Sequence, residues 1–433
     1  MGFIFTLLFL VFSYVRPGEL FPELASYRIM LCVGILAMAA TAPVLLRGSW
    51  FGLPSPQIYL MLALMGAVFL SVAAQGWLGG ALLAFEEFGI TAAIFFLVVL
   101  NVNSLRRFRV LVGLLVFLTL GLVIQVSLAY HYGYMADVFV LEQPLDNEPA
   151  DEGEPPVVEK RVRSLGVLND PNDLAQALLT ALPFLGLAWR RGRGLRNSLL
   201  VIGPGLAILY GVYLTRSRGG LLSLVFLIFF SLLKRFGRLS SILLSGALAV
   251  MLVSAGFIGG RGLSLDDSSY GRLQAWSEGL MMLRSNPILG VGFRNFTDHH
   301  EITAHNSFVL CFAELGLAGY FLWLALLALT IAQLRSLDQR QGDEKPDQHL
   351  SRCLARATLL ALSSYLAAGF FLSRTYQITL FLFLAMGVAL VAIAKQSGQE
   401  IYAPRFLHWC PRVAALAIAS IAFFQVFVKL RLV

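Results

Sequence analysis

Three short stretches carry side chains able to do chemistry on a charged substrate: TRSRGG at 215–220, GRLQAWSEGLMMLRSNPILGVGF at 271–293, and HNSFVLCFAELGL from His305. His305 opens an apolar run directly after a long polar loop, with Asn306 beside it. An imidazole with an ordinary pKa of ~6.5 takes a proton at neutral pH, so this placement suits a base at a membrane surface. Arg216 and Arg218 stand between two apolar runs. An arginine costs about 2.5–3.5 kcal/mol at the bilayer centre and less near the interface, and two guanidiniums grip phosphate oxygens better than ammonium groups do. Headgroup anchoring of a tight hairpin, and simple capping of a span by His305, are the plainer alternatives. Gly219 and Gly220 would let the following helix pack closely.

The segment DHHEITAHN has the look of a metal cluster. Zinc hydrolases use HExxH, which puts both histidines on one helical face; here the spacing is one residue longer and turns the second histidine away by roughly 100°. His299 and His300 therefore read as loop residues, and no metal is expected. Glu301 and His305 stand four apart, so Glu301 would orient the imidazole if the helix began early, with Asn306 and the helix end as equal candidates. Asp266 and Asp267 are adjacent and read as a solvated loop. Cys32, Cys311, Cys353 and Cys410 are scattered without CxxC spacing, as packing residues would be.

These side chains need a scaffold, and the composition says which. The 433 residues are 58% hydrophobic and 13% charged, with mean hydropathy +0.76, which excludes an ordinary soluble globule. Thirteen apolar windows, from 3–15 to 411–428, follow one another at the length a helix needs to cross a bilayer. The expected fold is all-α: a single polytopic membrane domain over 1–433 with about 12–13 transmembrane helices, the first short and retained rather than cleaved, the last a span or an interfacial helix. The net charge of +8 sits in short turns, so nucleic acid is not an expected partner; membrane lipids are.

Clusters at Arg106, Arg107 and Arg109, at Arg190, Arg191, Arg193 and Arg196, and at Lys234, Arg235 and Arg238 mark the cytoplasmic side by the positive-inside rule. Alternation then puts loops 131–171 and 259–304 outside and leaves 335–352 as a solvated cytoplasmic connector. The first outer loop contains an acidic, Pro-rich stretch, LEQPLDNEPADEGEPPVVEK, that reads as mobile and exposed. It tightens into RVRSLGVLNDPNDLAQALL, a turn and helix start with Asn172 or Asp173 as the cap, or else a cavity wall with Arg161 or Arg163 as ligand contacts. In the second, Leu273, Trp276, Leu280 and Leu283 form a stripe with Arg272, Gln274 and Glu278 off it, as in a helix resting on the membrane. Asn286 and Pro287 end that helix, and Gly290 and Gly292 permit a tight approach to what lies beneath. Topology lets this loop roof a site where the three stretches meet.

SRGGLLSL, the loop sequence from Gly271, and HN followed by a Gly-Leu break together resemble the O-antigen ligase and polymerase superfamily over roughly residues 165–335. SYVRPGELFPELA also resembles the branch of O-glycosylation ligases found near exosortase systems. The resemblance implies a membrane glycosyltransferase of the GT-C type in the bacterial inner membrane, its active site facing the periplasm. It would move a saccharide from undecaprenyl pyrophosphate to a hydroxyl of a lipid core, protein or glycan, by inversion and without cofactor. Carried onto this chain, the catalytic residues are His305, Arg218 and Arg272, with Arg216, Arg294, Asn306 and Glu301 as substrate contacts. A ligase is the preferred expectation and a polymerase of the same superfamily the alternative. A lipid-linked sugar transporter is a third reading, which calls for internal repeats and broken helices near the midplane.

Overall fold

The computed structural model describes residues 1–46, 55–144, 158–254, 267–339, 345–402 and 406–432. Within them the apolar windows all fold as helices: α1 Gly2–Val15, α2 Ile29–Leu46, α3 Pro56–Ala73, α4 Leu78–Asn101, α5 Leu105–Tyr132, α6 Pro171–Leu185, α7 Gly203–Leu214, α8 Arg218–Ser254, α9 Asp267–Ser285, α10 Ser307–Asp338, α11 Pro346–Gly369, α12 Ile378–Gln396 and α13 Phe406–Leu432. Ten helical stretches among the described residues are long and apolar enough to cross a membrane, and the stretch ending in α13 is one of them. Three features separate this number from the expected 12–13. With 15 residues α6 spans only about 22 Å at helical rise. Polar residues such as Arg352 and Arg356 dilute α11. A break at Gly237 splits the long α8 in two.

The interior is organised by α12, whose sequence ITLFLFLAMGVALVAIAKQ is apolar around its whole circumference and therefore has to be enclosed. It is almost entirely buried, against α4, α10 and α11. Next to it α10 packs on α3, α11 and α13. The side chains of interest sit at one end of this bundle. α8, for example, begins at Arg218 and reaches its Lys234 and Arg235 cluster about 24 Å further along.

The acidic, Pro-rich stretch 141–160 was expected to be mobile and exposed, without regular structure. Instead β1 Val140–Pro144 pairs antiparallel with β2 Val158–Val162, in register from Val140↔Val162 to Pro144↔Val158. A cross-strand Lys160–Glu142 ion pair at 3.3 Å supports the register. The acidic residues 145–157, and Asp266 in the second loop, lie outside the described residues.

The second loop is built into the bundle. The expected stripe of α9 is confirmed: Trp276, Leu280 and Leu283 are buried and Leu273 is half-buried, while Gln274 is exposed. The helix ends at Ser285 and the chain then passes through a break in α10. At Gly316, where φ is 64° and ψ is −168°, the helix cannot continue its own hydrogen bonds. The loop replaces them. Val291 and Gly292 donate to the carbonyls of Ala313 and Glu314 at 3.0 Å each, and Leu317 and Ala318 donate to the carbonyls of Pro287 and Ile288 at 2.8 and 3.1 Å. A Cβ on Gly290 or Gly316 would overlap the opposite backbone, so both positions demand glycine.

Candidate active site

His305 lies two residues before α10, and the residues on either side of it are tied down. Asn306, 0% exposed, caps the helix: its Oδ1 accepts from the amides of Phe308 at 2.9 Å and Val309 at 3.1 Å. Its Nδ2 donates to the Phe370 carbonyl at 2.9 Å. Ser307 Oγ donates to the Leu372 carbonyl at 2.6 Å and accepts from the Arg374 amide at 2.9 Å. On the other side, the indole of Trp276 donates to the Ala304 carbonyl at 2.9 Å. The turn 370–377 and helix α9 are thus stapled to the two flanks of His305, which adopts a left-handed φ of 47°. Such a backbone is sparsely populated for a β-carbon residue and persists only where the surroundings hold it.

That placement gives the imidazole a defined electrostatic setting. Burial is the main influence lowering the His305 pKa, followed by the charges of Arg272 and Arg374, with Asp170 pulling the other way. These influences disfavour the imidazolium and favour the form of the ring that accepts a proton. Burial, then the charge of Arg218, lowers the Arg272 pKa in turn. Arg218, Arg272 and His305, drawn from three distant segments, are thereby brought within electrostatic reach of one another in sequence.

The turn that carries Arg216 and Arg218 is held from below. The Arg161 guanidinium donates to the Thr215 carbonyl at 3.0 Å. Ser217 Oγ donates to Asn172 Oδ1 at 2.6 Å and accepts from the Gly220 amide at 2.9 Å. A Cβ on Gly220 would stand 2.8 Å from Ala175, so glycine here lets α8 lie against α6. Arg216 has a left-handed φ of 50° and lays its guanidinium over the Tyr213 ring at 4.0 Å. The cap of α6 is Asp170, which accepts from the Asn172 amide at 2.7 Å, rather than the expected Asn172 or Asp173. Pro171 explains the shift, because its fixed φ and missing N–H make it a natural first helical residue. Arg161 is structural support for the site, and Arg163 bonds the Val138 carbonyl at 3.1 Å.

Glu301 stands apart from His305. α10 starts at Ser307, so Glu301 and His305 do not share a helical face. Glu301 is exposed and lines a second cavity with His299 and His300. Arg294, left-handed with φ 61°, is exposed and ion-paired with Glu87.

A cavity of about 770 Å³ has Asp170 and Arg374, two of the charges that act on His305, in its wall. Arg294 and Glu87 line it too, as do Arg16, Thr303, Glu314 and Tyr376. Arg374, whose Nε donates to Asp173 Oδ1, is the residue that sequence reading passed over. Its signal was present, since SRTYQ sets an arginine between the apolar runs of α11 and α12 just as SRGG does before α8. Arg16, in SYVRPGELFPELA, forms an ion pair with Glu19 at 2.9 Å, and Glu19 accepts from the Gly166 amide at 2.6 Å.

Residues 204–324, from α7 through the break in α10, match a family described as O-Antigen ligase. That segment contains Arg216, Arg218, Arg272, Arg294 and His305. No curated protein matches the chain. It is similar, at 17% identity and a TM-score of 0.43, to a chain in a structure titled "Structural coordination of polymerization and crosslinking by a peptidoglycan synthase complex", over 79% of this chain and 97% of that one.

Proposed function

Proceeding from the match of residues 204–324 to the O-antigen ligase/polymerase superfamily, whose members are membrane glycosyltransferases, we propose that this chain is a glycan ligase at the periplasmic face of the inner membrane. The donor is a glycan on undecaprenyl pyrophosphate. The acceptor hydroxyl attacks the anomeric carbon, the bond from that carbon to the pyrophosphate oxygen breaks, and its electron pair leaves on undecaprenyl pyrophosphate. The hydroxyl proton passes to His305. One displacement inverts the anomeric centre.

Arg218 and Arg272 neutralise the charge that develops on the pyrophosphate, with Arg216 beside them; preorganised positive charge suffices for so good a leaving group. The observation that carries the proposal is the half-buried His305, whose pKa is lowered by burial and by the charges of Arg272 and Arg374, guanidiniums from separate segments. Asn306 acts by fixing the start of α10. Attachment is favoured over chain growth by the SYVRPGELFPELA resemblance, whose Arg16 lines the same cavity as Asp170 and Arg374.

The test is a purified transfer assay with lipid-linked donor. His305→Ala is expected to abolish transfer while leaving donor binding intact, and Arg218→Ala to weaken donor binding. Normal product from the His305 variant would remove the proposal. Mass spectrometry of the acceptor separates ligase from polymerase. Glycan crossing the membrane without a change of carrier would make the protein a transporter.

A further inference from the structure

The two neighbours of His305 are tied to residues on other helices, and those two residues meet each other. Trp276 of α9 donates its indole N–H to the Ala304 carbonyl at 2.9 Å, and the Phe370 carbonyl, just past α11, accepts from Asn306 Nδ2 at 2.9 Å. The rings of Trp276 and Phe370 stand edge to face, their centroids 5.7 Å apart and their planes at 80°. Both rest on one further side chain. Phe424 of α13, 2% exposed, meets the Trp276 ring at 5.3 Å and 85°, stacks on Phe370 at 5.8 Å and 23°, and reaches Phe312 of α10 at 6.1 Å. Phe427, three residues further along α13, lies 5.8 Å from Trp276.

Such a junction is directional. Aromatic pairs prefer edge-to-face and offset-stacked arrangements, so the cluster fixes the rotation of the indole as well as its depth. Rotation matters because the indole N–H serves one acceptor, and turning the ring takes it out of line with the Ala304 carbonyl. It matters also for Arg272, which stands about one helical turn before Trp276, since any roll of α9 moves that guanidinium relative to His305. His305 itself has a left-handed backbone that only its surroundings maintain. α13 lies wholly beyond the residues 204–324 that match the ligase family, so this support comes from outside the matched segment.

Resting on the transferase reading above, we propose that Phe424, and with it the C-terminal helix α13, is a positioning element for transfer: by holding Trp276 against Phe370 it fixes both ties of the His305 turn and the placing of Arg272 relative to it. Phe424 acts through these residues alone. The other charges that bear on His305 are held elsewhere, Asp170 as the cap of α6 and Arg374 in its pair with Asp173, so the junction governs Arg272 separately from them.

The test uses the full-length protein in vesicles with lipid-linked donor. Phe424→Ala is expected to lower kcat roughly ten- to a hundredfold, as misplacing a reacting group by about an ångström does, with donor KM within about threefold of wild type. The acid limb of kcat/KM should also move to higher pH, because water beside the turn and a displaced Arg272 both relieve what holds the His305 pKa down. A general loss of stability would move neither the limb nor the split between kcat and KM. Phe427→Ala should act in the same direction more mildly, and serves if Phe424→Ala does not fold. Ser420→Ala cuts the 2.8 Å hydrogen bond to Tyr320, another contact between α13 and α10, and should leave the limb unmoved. Wild-type kcat and limb in a folded Phe424 or Phe427 variant, a raised donor KM with kcat unchanged, or an equal shift in Ser420→Ala would overturn the proposal. Hydrogen exchange at Phe308 and Val309 needs no activity and should accelerate roughly tenfold or more in Phe424→Ala. Accelerated exchange beside transfer that survives loss of His305 would remove the transferase reading alone, whereas wild-type exchange would remove the positioning role.

Discussion

Replacing Asn306 with alanine tests whether this residue builds the site or touches the substrate. Its side chain makes three hydrogen bonds in a fully buried position, two to the first amides of α10 and one to the Phe370 carbonyl. Loss of an N-cap costs about 1 kcal/mol, with a range of roughly 0.5–2. Stranding the Phe370 carbonyl adds about 1–3 kcal/mol. The local opening free energy of the α10 start should therefore fall by about 2–4 kcal/mol, so that amide exchange around Phe308 and Val309 accelerates roughly thirtyfold to several-hundredfold. Asn306→Ser keeps a cap acceptor but not the reach to Phe370, and should recover about half of the loss. His305 is held left-handed by this same junction, so the alanine variant should lose kcat as the ring leaves its position. Hydrogen exchange by mass spectrometry in detergent, beside transfer kinetics, reads both effects. Wild-type protection together with abolished transfer would refute the reasoning and make Asn306 a substrate contact.

Three other expectations follow from the same geometry. The acid limb of kcat/KM should fall below the ordinary histidine value of ~6.5, because burial and then Arg272 and Arg374 disfavour the imidazolium. Removing a cation raises that pKa, so Arg374→Gln should move the limb to higher pH, whereas Asp170→Asn, which keeps the α6 cap, should move it lower; a limb unmoved by either would detach His305 from the profile. Gly316→Ala forces a β-carbon into a glycine-only backbone region against the Ile288 carbonyl, at a cost of about 1–3 kcal/mol for the backbone alone, and should lower the thermal midpoint and expose the Val291 and Leu317 amides to exchange. Glu301→Gln should leave transfer within about twofold of wild type, since Glu301 lines the other cavity; a loss above tenfold would return it to the site.

The break at Gly316 shows how far sequence reading reaches. A Gly-Leu pair inside an apolar run announces an interruption, and Gly290 and Gly292 announce a close approach, so both halves of the crossing were legible separately. Their mutual fit was not, because which carbonyl receives which amide depends on where two segments some 25 residues apart meet in space. Arg374 is the opposite case. Its local signal equals that of Arg218, but nothing local says that the turn after α11 folds back onto the residues flanking His305.

Composition and apolar spacing were enough to determine an all-helical membrane chain, its helical segments, and the ends at which its reactive side chains cluster, because these follow from the length and polarity of individual segments. Only the tertiary structure decided that burial and the charges of Arg272 and Arg374 lower the His305 pKa, and which residues are caps and which are walls. Each of these is a property of groups drawn from several segments at once. Desolvation, Coulomb interaction and hydrogen-bond satisfaction act through space over a few ångströms, and order along the chain does not encode that distance.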